Sequence, residues 1–201
     1  MLRTVRWTCG ALLVMASMLG ARAASAQINV AALSNNALAQ GFASDIGYGS
    51  SLNGPLDGNT SGGYDFHSAS GSGSWWYVDL AQNWSVSSMT FYNRTSCCSN
   101  RAIGAQFELW GSVPSFIANA ALFTAVLDGS FVQTFTVPNI TARYASVHAG
   151  NCDTPGACFL NFSEVEVNAL AVTATPEPAS IALLATGLVG VVAVARRKRI
   201  A

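Results

Sequence analysis

Residues 74–80 read SWWYVDL. Trp76, Val78 and Leu80 alternate with Trp75, Tyr77 and Asp79, which is the period of a strand with one face buried. Residues 86–93, 105–110, 131–137, 142–148 and 160–167 are also rich in β-formers, and Gly, Ser, Asn and Asp separate them. Short runs at such spacing, with turn signals between them, predict an antiparallel sandwich or barrel. No long helical period and no internal repeat competes with this all-β reading. Residues 47–73 are different in kind. Gly, Ser, Asn and Asp dominate there, with three aromatics, and a loop that long in a compact domain points to function or disorder. The alternation also places at least one of Trp75 and Trp76 in the core.

The two ends of the chain do not belong to this domain. Arg3 and Arg6 precede an apolar run, residues 11–19, that leads into Ala24-Ser25-Ala26. A charged start, a short apolar stretch and small residues predict a secretory signal peptide over 1–26, cleaved after Ala26. Cys9 goes with it. At the other end, residues 179–195 form an uncharged, mostly apolar run of 17 residues, the lower limit for a transmembrane helix. Arg196, Arg197, Lys198 and Arg199 follow. Such a basic tail, residues 196–201, stays cytoplasmic and presents the domain outward. Residues 27–170 are then one domain, with 171–178 as its linker to the helix.

The neutral formal charge of the whole chain hides the charge of its middle. Between residues 27 and 174 the cations are Arg94, Arg101 and Arg143, and nine acids oppose them, so three minus nine gives −6. That balance argues against a nucleic-acid partner, where phosphate contacts dominate affinity. Four cysteines remain: Cys97, Cys98, Cys152 and Cys158. An even count in an exported domain predicts two disulfides in one of three connectivities. Neighbouring Cα atoms lie about 3.8 Å apart, below the usual disulfide span of about 4.4–6.8 Å, so a bond between Cys97 and Cys98 is a strained one.

Two resemblances extend this reading. Pro176-Glu177-Pro178, the apolar run and the Arg-rich end occur in the order of the PEP-CTERM sorting signal of Gram-negative bacteria. The resemblance implies a membrane protease that cuts near the motif. It also implies an inner-membrane intermediate before the protein reaches the cell surface or the outside. Further in, LDGNTSG (56–62), SWWYVDLAQNWSVSSMTFYNR (74–94) and NFSEVEV (161–167) resemble the discoidin, or galactose-binding-like, superfamily. Within it, His67, Arg94 27 residues later, the Cys97-Cys98 pair and Arg101 reproduce the spacing of the F-type lectins, or fucolectins. That resemblance implies an eight-stranded antiparallel jelly-roll β-sandwich that binds L-fucose at loops at one end.

It also implies roles. His67, Arg94 and Arg101 would grip the 3-OH, the 4-OH and the ring oxygen. A guanidinium offers five donors in a rigid fork, and charge-assisted bonds are the strong ones. A vicinal Cys97–Cys98 disulfide would form an apolar floor against the sugar ring, leaving Cys152 and Cys158 to pair with each other. The alternative keeps Cys97 and Cys98 each bonded to one of those two. Tyr48, Tyr64 and Phe66 are the aromatic candidates for the wall of the site. Asp57, Asn59 and Glu164 match the family's calcium positions, where a structural ion ties the loop to the last strand. The plain alternative is an Asx-turn at Asp57 and a surface Glu164. Two positions depart from the family pattern: Ser96 stands where many members carry an acid, and Ser163 where many carry a bridged cysteine.

The remaining signals are weak. Asn-X-Ser/Thr occurs at Asn59, Asn83, Asn93, Asn139 and Asn161, but a bacterial export route gives it no role. His148 shares a face with Ser146 and reads as structural. The chain has no G-x-S-x-G, H-E-x-x-H, P-loop or C-x-x-C motif, so an enzyme is not expected. The expected function is an exported, non-catalytic carbohydrate-binding protein. The competing one is an extracellular-matrix or surface structural protein that keeps the lectin fold without tight sugar binding.

Overall fold

The computed structural model of the chain describes residues 26–61, 63–69, 73–116, 120–149 and 159–170, together with Gly187. Gln27–Ala171 forms one compact unit, and every described strand lies in it. The signal peptide, the linker, the C-terminal apolar run, the basic tail, Cys152 and Cys158 fall outside the described residues, apart from Ala26 and Gly187. Among the described residues no helix is long and apolar enough to cross a membrane.

Eight strands are described: β1 (Gln27–Asn29), β2 (Gln40–Ala43), β3 (Phe66–His67), β4 (Trp75–Asn93), β5 (Gln106–Trp110), β6 (Phe123–Val126), β7 (Val132–His148) and β8 (Asn161–Leu170). Every pairing is antiparallel. The main order is β1-β8-β4-β7-β5-β6, with β2 on β4 and β3 on β8. Hydrogen bonding thus runs unbroken through all eight strands rather than in two separate sheets. The reason is the length of β4 and β7, which pair with each other along most of their course. Irregularities between Asp79 and Trp84, and between Val86 and Ser88, let one strand bend and serve both halves.

Alternation in β4 behaves as its sequence predicts. Trp76, Val78 and Leu80 are fully buried, while Trp75, Tyr77 and Asp79 are not. They join Phe91, Phe107, Leu109, Phe162 and Val165 in a single core, where each large side chain contributes about 1.5–3 kcal/mol on burial. The Trp76 indole N–H donates to the Leu52 carbonyl at 2.9 Å, so the core also fastens the long loop. That loop is not featureless. A 3₁₀ turn at Gly54–Leu56 buries Pro55 and Leu56, and β3 lies against β8 with Phe66 opposite Phe162 and His67 opposite Asn161.

Candidate functional site

The site forms at one end of the fold, where β3, the end of β4 and the start of β8 meet. β4 ends at Asn93, which is 1% exposed. Its amide nitrogen donates to the carbonyls of Ser99 at 2.9 Å and Gly129 at 3.0 Å. Its amide oxygen accepts from Arg94 N at 2.8 Å. One buried side chain thereby holds the Arg94–Arg101 segment at Arg94 and at Ser99, a role that sequence reasoning missed because Asn93 read only as a strand end and an Asn-X-Thr triplet. Cys98 takes a left-handed conformation, φ 62°, and opens the 3₁₀ turn Ser99–Ala102 that carries Arg101.

His67, Arg94, Cys98 and Arg101 line one cleft of about 250 Å³ together with Tyr48, Tyr64 and Phe159. His67 is buried, 5% exposed. Its Nδ1 lies 2.7 Å from the Ser68 carbonyl and its Nε2 lies 3.3 Å from Arg101 Nη1. A carbonyl only accepts and a guanidinium only donates. The ring is therefore neutral, with the hydrogen on Nδ1. Burial first, then Arg101 and Arg94, hold the His67 pKa below its ordinary value against the opposing pull of Ser68.

Three rings surround that imidazole, with centroids 4.4 Å away for Tyr48, 5.1 Å for Tyr64 and 5.6 Å for Phe159. Tyr48 sits at φ 55°, and the Tyr64 hydroxyl donates to its carbonyl at 3.0 Å. The Arg94 guanidinium lies 4.5 Å above the Tyr64 ring and its Nε donates to Ser96 Oγ at 3.0 Å. Arg101 lies 5.0 Å above Phe159. Cationic donors and ring faces thus converge on a single concave spot.

Two of the expected site residues, Phe66 and Cys97, do not line the cleft. Phe66 points into the core and is fully buried, because His67, its neighbour on a strand, takes the opposite face. Phe159 takes the place in the wall instead. It lay just outside the quoted NFSEVEV stretch, and only the return of β8 toward β3 brings it to His67. Cys97 is exposed and Cys98 half-exposed, both as free thiols, and only Cys98 lines the cleft. A hydrogen bond with Cys98 and then burial raise the Cys97 pKa, against the opposing pull of Arg94 and Arg101.

Of the residues matched to calcium, Asp57 lines a second cleft that shares Tyr64 with the first. Asp57 Oδ1 accepts from Asn59 N at 2.7 Å, so an Asx-turn is present. Glu164, however, is no surface residue. It is fully buried, and neither carboxylate oxygen has a hydrogen-bond partner. Burial above all, with the charges of Asp57, Glu166 and Asp65, raises its pKa to about 9; the nearby Gly58 backbone amide opposes the shift only partly. Asp65 Oδ2 is orphaned as well. A cleft of about 340 Å³ beside them is lined by Asn53, Gly54, Asp57 and Asp65 among others. Among the described residues no three His, Cys, Asp or Glu side chains are assembled to hold a metal by themselves. Backbone carbonyls would have to complete any such shell. Orphaned, buried carboxylate oxygens are nonetheless what a hard cation takes, so the donor set fits one.

Residues 56–147 match the model for the NedA-like, galactose-binding domain of F5/F8 type C, and residues 174–199 match the PEP-CTERM protein-sorting motif. Fucolectin-5 of Anguilla japonica is 32% identical over 125 residues, which are 61% of this chain and 64% of that protein. The chain therefore spans a little under two thirds of that relative. Fucolectin of Anguilla anguilla is 30% identical over 121 residues, 58% of this chain and 73% of its own length. Among solved structures, the lectin domain of lectinolysin complexed with Lewis B antigen matches with a TM-score of 0.58 and 24% identity, over 70% of this chain and 95% of that one. A fucolectin from striped bass (Morone saxatilis) serum gives a TM-score of 0.58 and 23% identity, over 72% of this chain and 49% of that one. At these identities the two structures show the fold. Taken with the curated relatives, they identify the chain as a member of the fucolectin family that carries a PEP-CTERM sorting motif.

Proposed function

We propose that this protein is an exported, non-catalytic carbohydrate-binding protein whose site is the cleft of His67, Arg94 and Arg101, with L-fucose or a related sugar as its ligand. The observation that carries the proposal is the convergence of those three side chains on one concave spot, with Arg101 and His67 3.3 Å apart. Two guanidinium groups supply fixed donors to ring hydroxyls, each charge-assisted bond contributing about 1.5–3 kcal/mol net. Tyr48, Tyr64 and Phe159 offer ring faces to the apolar C–H side of the sugar. Cys98 forms part of the floor, and closure of a Cys97–Cys98 disulfide in the oxidising exterior would stiffen it.

Calcium belongs to the same proposal as a structural ion. Glu164 and Asp57 would supply its charge, with Asn59 and loop carbonyls completing an oxygen shell. The ion would neutralise carboxylates that otherwise face each other. Export follows the sorting motif: a membrane protease cuts near Pro176-Glu177-Pro178, and the domain reaches the cell surface or the outside.

A glycan array run with calcium tests this. Signal on fucosylated glycans that disappears with Arg94→Ala or Arg101→Ala supports the proposal. A blank array for a folded protein would leave the surface structural role instead.

A further inference from the structure

We infer that the cleft selects a sugar residue carrying a carboxylate, a hexuronate, over the same sugar without one. The inference rests on the sugar-binding proposal above and names its ligand class more narrowly.

Charge carries the argument. Between residues 27 and 174 there are three cations against nine acids, yet two of the three line this one cleft. The third, Arg143, is paired with Asp79 through bonds of 2.9 Å. Arg94 and Arg101 have no such partner among the described residues. Arg94 Nε is satisfied by the neutral Ser96 hydroxyl at 3.0 Å, and Arg101 Nη1 by a neutral imidazole at 3.3 Å. Each guanidinium also lies over a ring face, Arg94 over Tyr64 and Arg101 over Phe159. Among the described residues, no lining side chain is acidic.

With no carboxylate partner among the described residues, these two half-buried guanidinium groups leave donors and charge for a ligand to answer. A hydroxyl offers a single oxygen and brings no charge. A carboxylate is planar, presents two oxygens and matches the guanidinium fork in bidentate fashion. The overall −6 of the domain opposes an anionic ligand at a distance, but exposed charges beyond about 8–10 Å are screened at physiological salt. Among the described residues that line the cleft the two arginines are the charged ones, so they set the local preference.

The test compares two ligands that differ only at C6, the methyl glycosides of galactose and galacturonic acid. Calorimetry on the calcium-loaded protein is expected to give the galacturonate an affinity about tenfold higher at low salt, since its carboxylate adds ion-pair attraction to bonds that the guanidinium groups already make charge-assisted with a hydroxyl. The advantage shrinks to about threefold or less in roughly 0.5 M salt. Ser96→Asp places a carboxylate beside Arg94 and is expected to bring the galacturonate-to-galactose ratio close to one, whatever it does to either affinity alone. Equal affinities for the two glycosides in the unmodified protein would overturn the inference. So would an advantage that survives both salt and Ser96→Asp. If methyl fucoside binds while galacturonate shows no advantage, only this inference falls. If no glycoside binds and Arg94→Ala changes nothing, the sugar-binding proposal falls with it.

Discussion

Arg101 Nη1 donates to His67 Nε2 across 3.3 Å, and this bond exists only while the imidazole is neutral. Protonation turns the acceptor into a donor and places a third cation beside two guanidinium groups. The folded pKa lies below the ordinary histidine value of 6.5. Down to about pH 6.5 the site is therefore intact, and binding of a neutral fucoside is expected to be flat. Below that, as pH falls through the folded pKa, binding weakens. Stability moves the same way: the unfolded chain takes up its proton first, so the folded state loses ground as pH drops through this window. His67→Gln keeps polarity without titration, and its binding, though weaker, is expected to lose the pH step. Calorimetry across pH 5–8 checks this, and an equally strong step in the Gln variant would sink it.

Phe159 is expected to matter although its side chain forms no hydrogen bond. Its ring lies under Arg101 at 5.0 Å and beside His67 at 5.6 Å. A cation–π contact at a half-exposed site contributes about 1 kcal/mol, so Phe159→Ala is expected to weaken fucoside binding about fivefold. Phe159→Leu keeps the bulk and loses most of the π interaction, and should fall nearly as far. Affinity in Phe159→Leu equal to the unmodified protein would show that the ring acts through shape alone.

How much of this was legible beforehand depended on the range of the interaction. Local alternation placed Trp76, Val78 and Leu80 correctly, because strand period is written in neighbouring residues. The spacing of His67, Arg94 and Arg101 pointed to one site, and the three do line one cleft. Strand lengths differ from that pattern: residues 75–80 and 86–93 belong to one strand, as do 132–137 and 142–148. The apparent breaks between them hold bulges, with Ala81 at φ 66° and Asn139 at φ 52°, and a bulge resembles a turn when only composition is visible. Phe159, the anchoring role of Asn93 and the burial of Glu164 all depend on where distant strands return, which no local pattern records.

Gly41 tests the packing between β2 and the long loop. A Cβ there would run into the Leu52 carbonyl and lie 3.1 Å from Trp76 Nε1. That carbonyl is the acceptor for the Trp76 indole, and Gly41 N itself donates to Asn53 Oδ1 at 2.7 Å. Since backbone and a buried tryptophan cannot give way cheaply, Gly41→Ala is expected to destabilise the domain by about 1–3 kcal/mol. Urea denaturation measures it. A change within about 0.5 kcal/mol, the usual range for surface substitutions, would mean that the loop shifts freely at this point.

Glu164 gives the sharpest test of the cation. Without a metal its folded pKa stands at about 9, against 4.5 when unperturbed. The folded state then holds a proton that the unfolded chain releases, so stability falls as pH rises from about 4.5 toward 9. The metal-free protein is accordingly expected to melt at a higher temperature at pH 5.5 than at pH 8. Calcium favours the ionised carboxylate, so its stabilisation should grow with pH, reaching about 2.7 kcal/mol at a hundredfold excess over Kd. Glu164→Gln removes the charge: it should raise the melting temperature of the metal-free protein at pH 8 and abolish the gain from calcium. Asp65→Asn relieves repulsion from a neighbour that also raises the Glu164 pKa, and so should act in the same direction but less strongly. Melting curves in chelator and in millimolar calcium, at both pH values, decide the matter. Curves that coincide with and without calcium at pH 8, together with a Glu164→Gln variant no more stable than the original, would remove the ion from the account and leave Glu164 as a buried neutral acid.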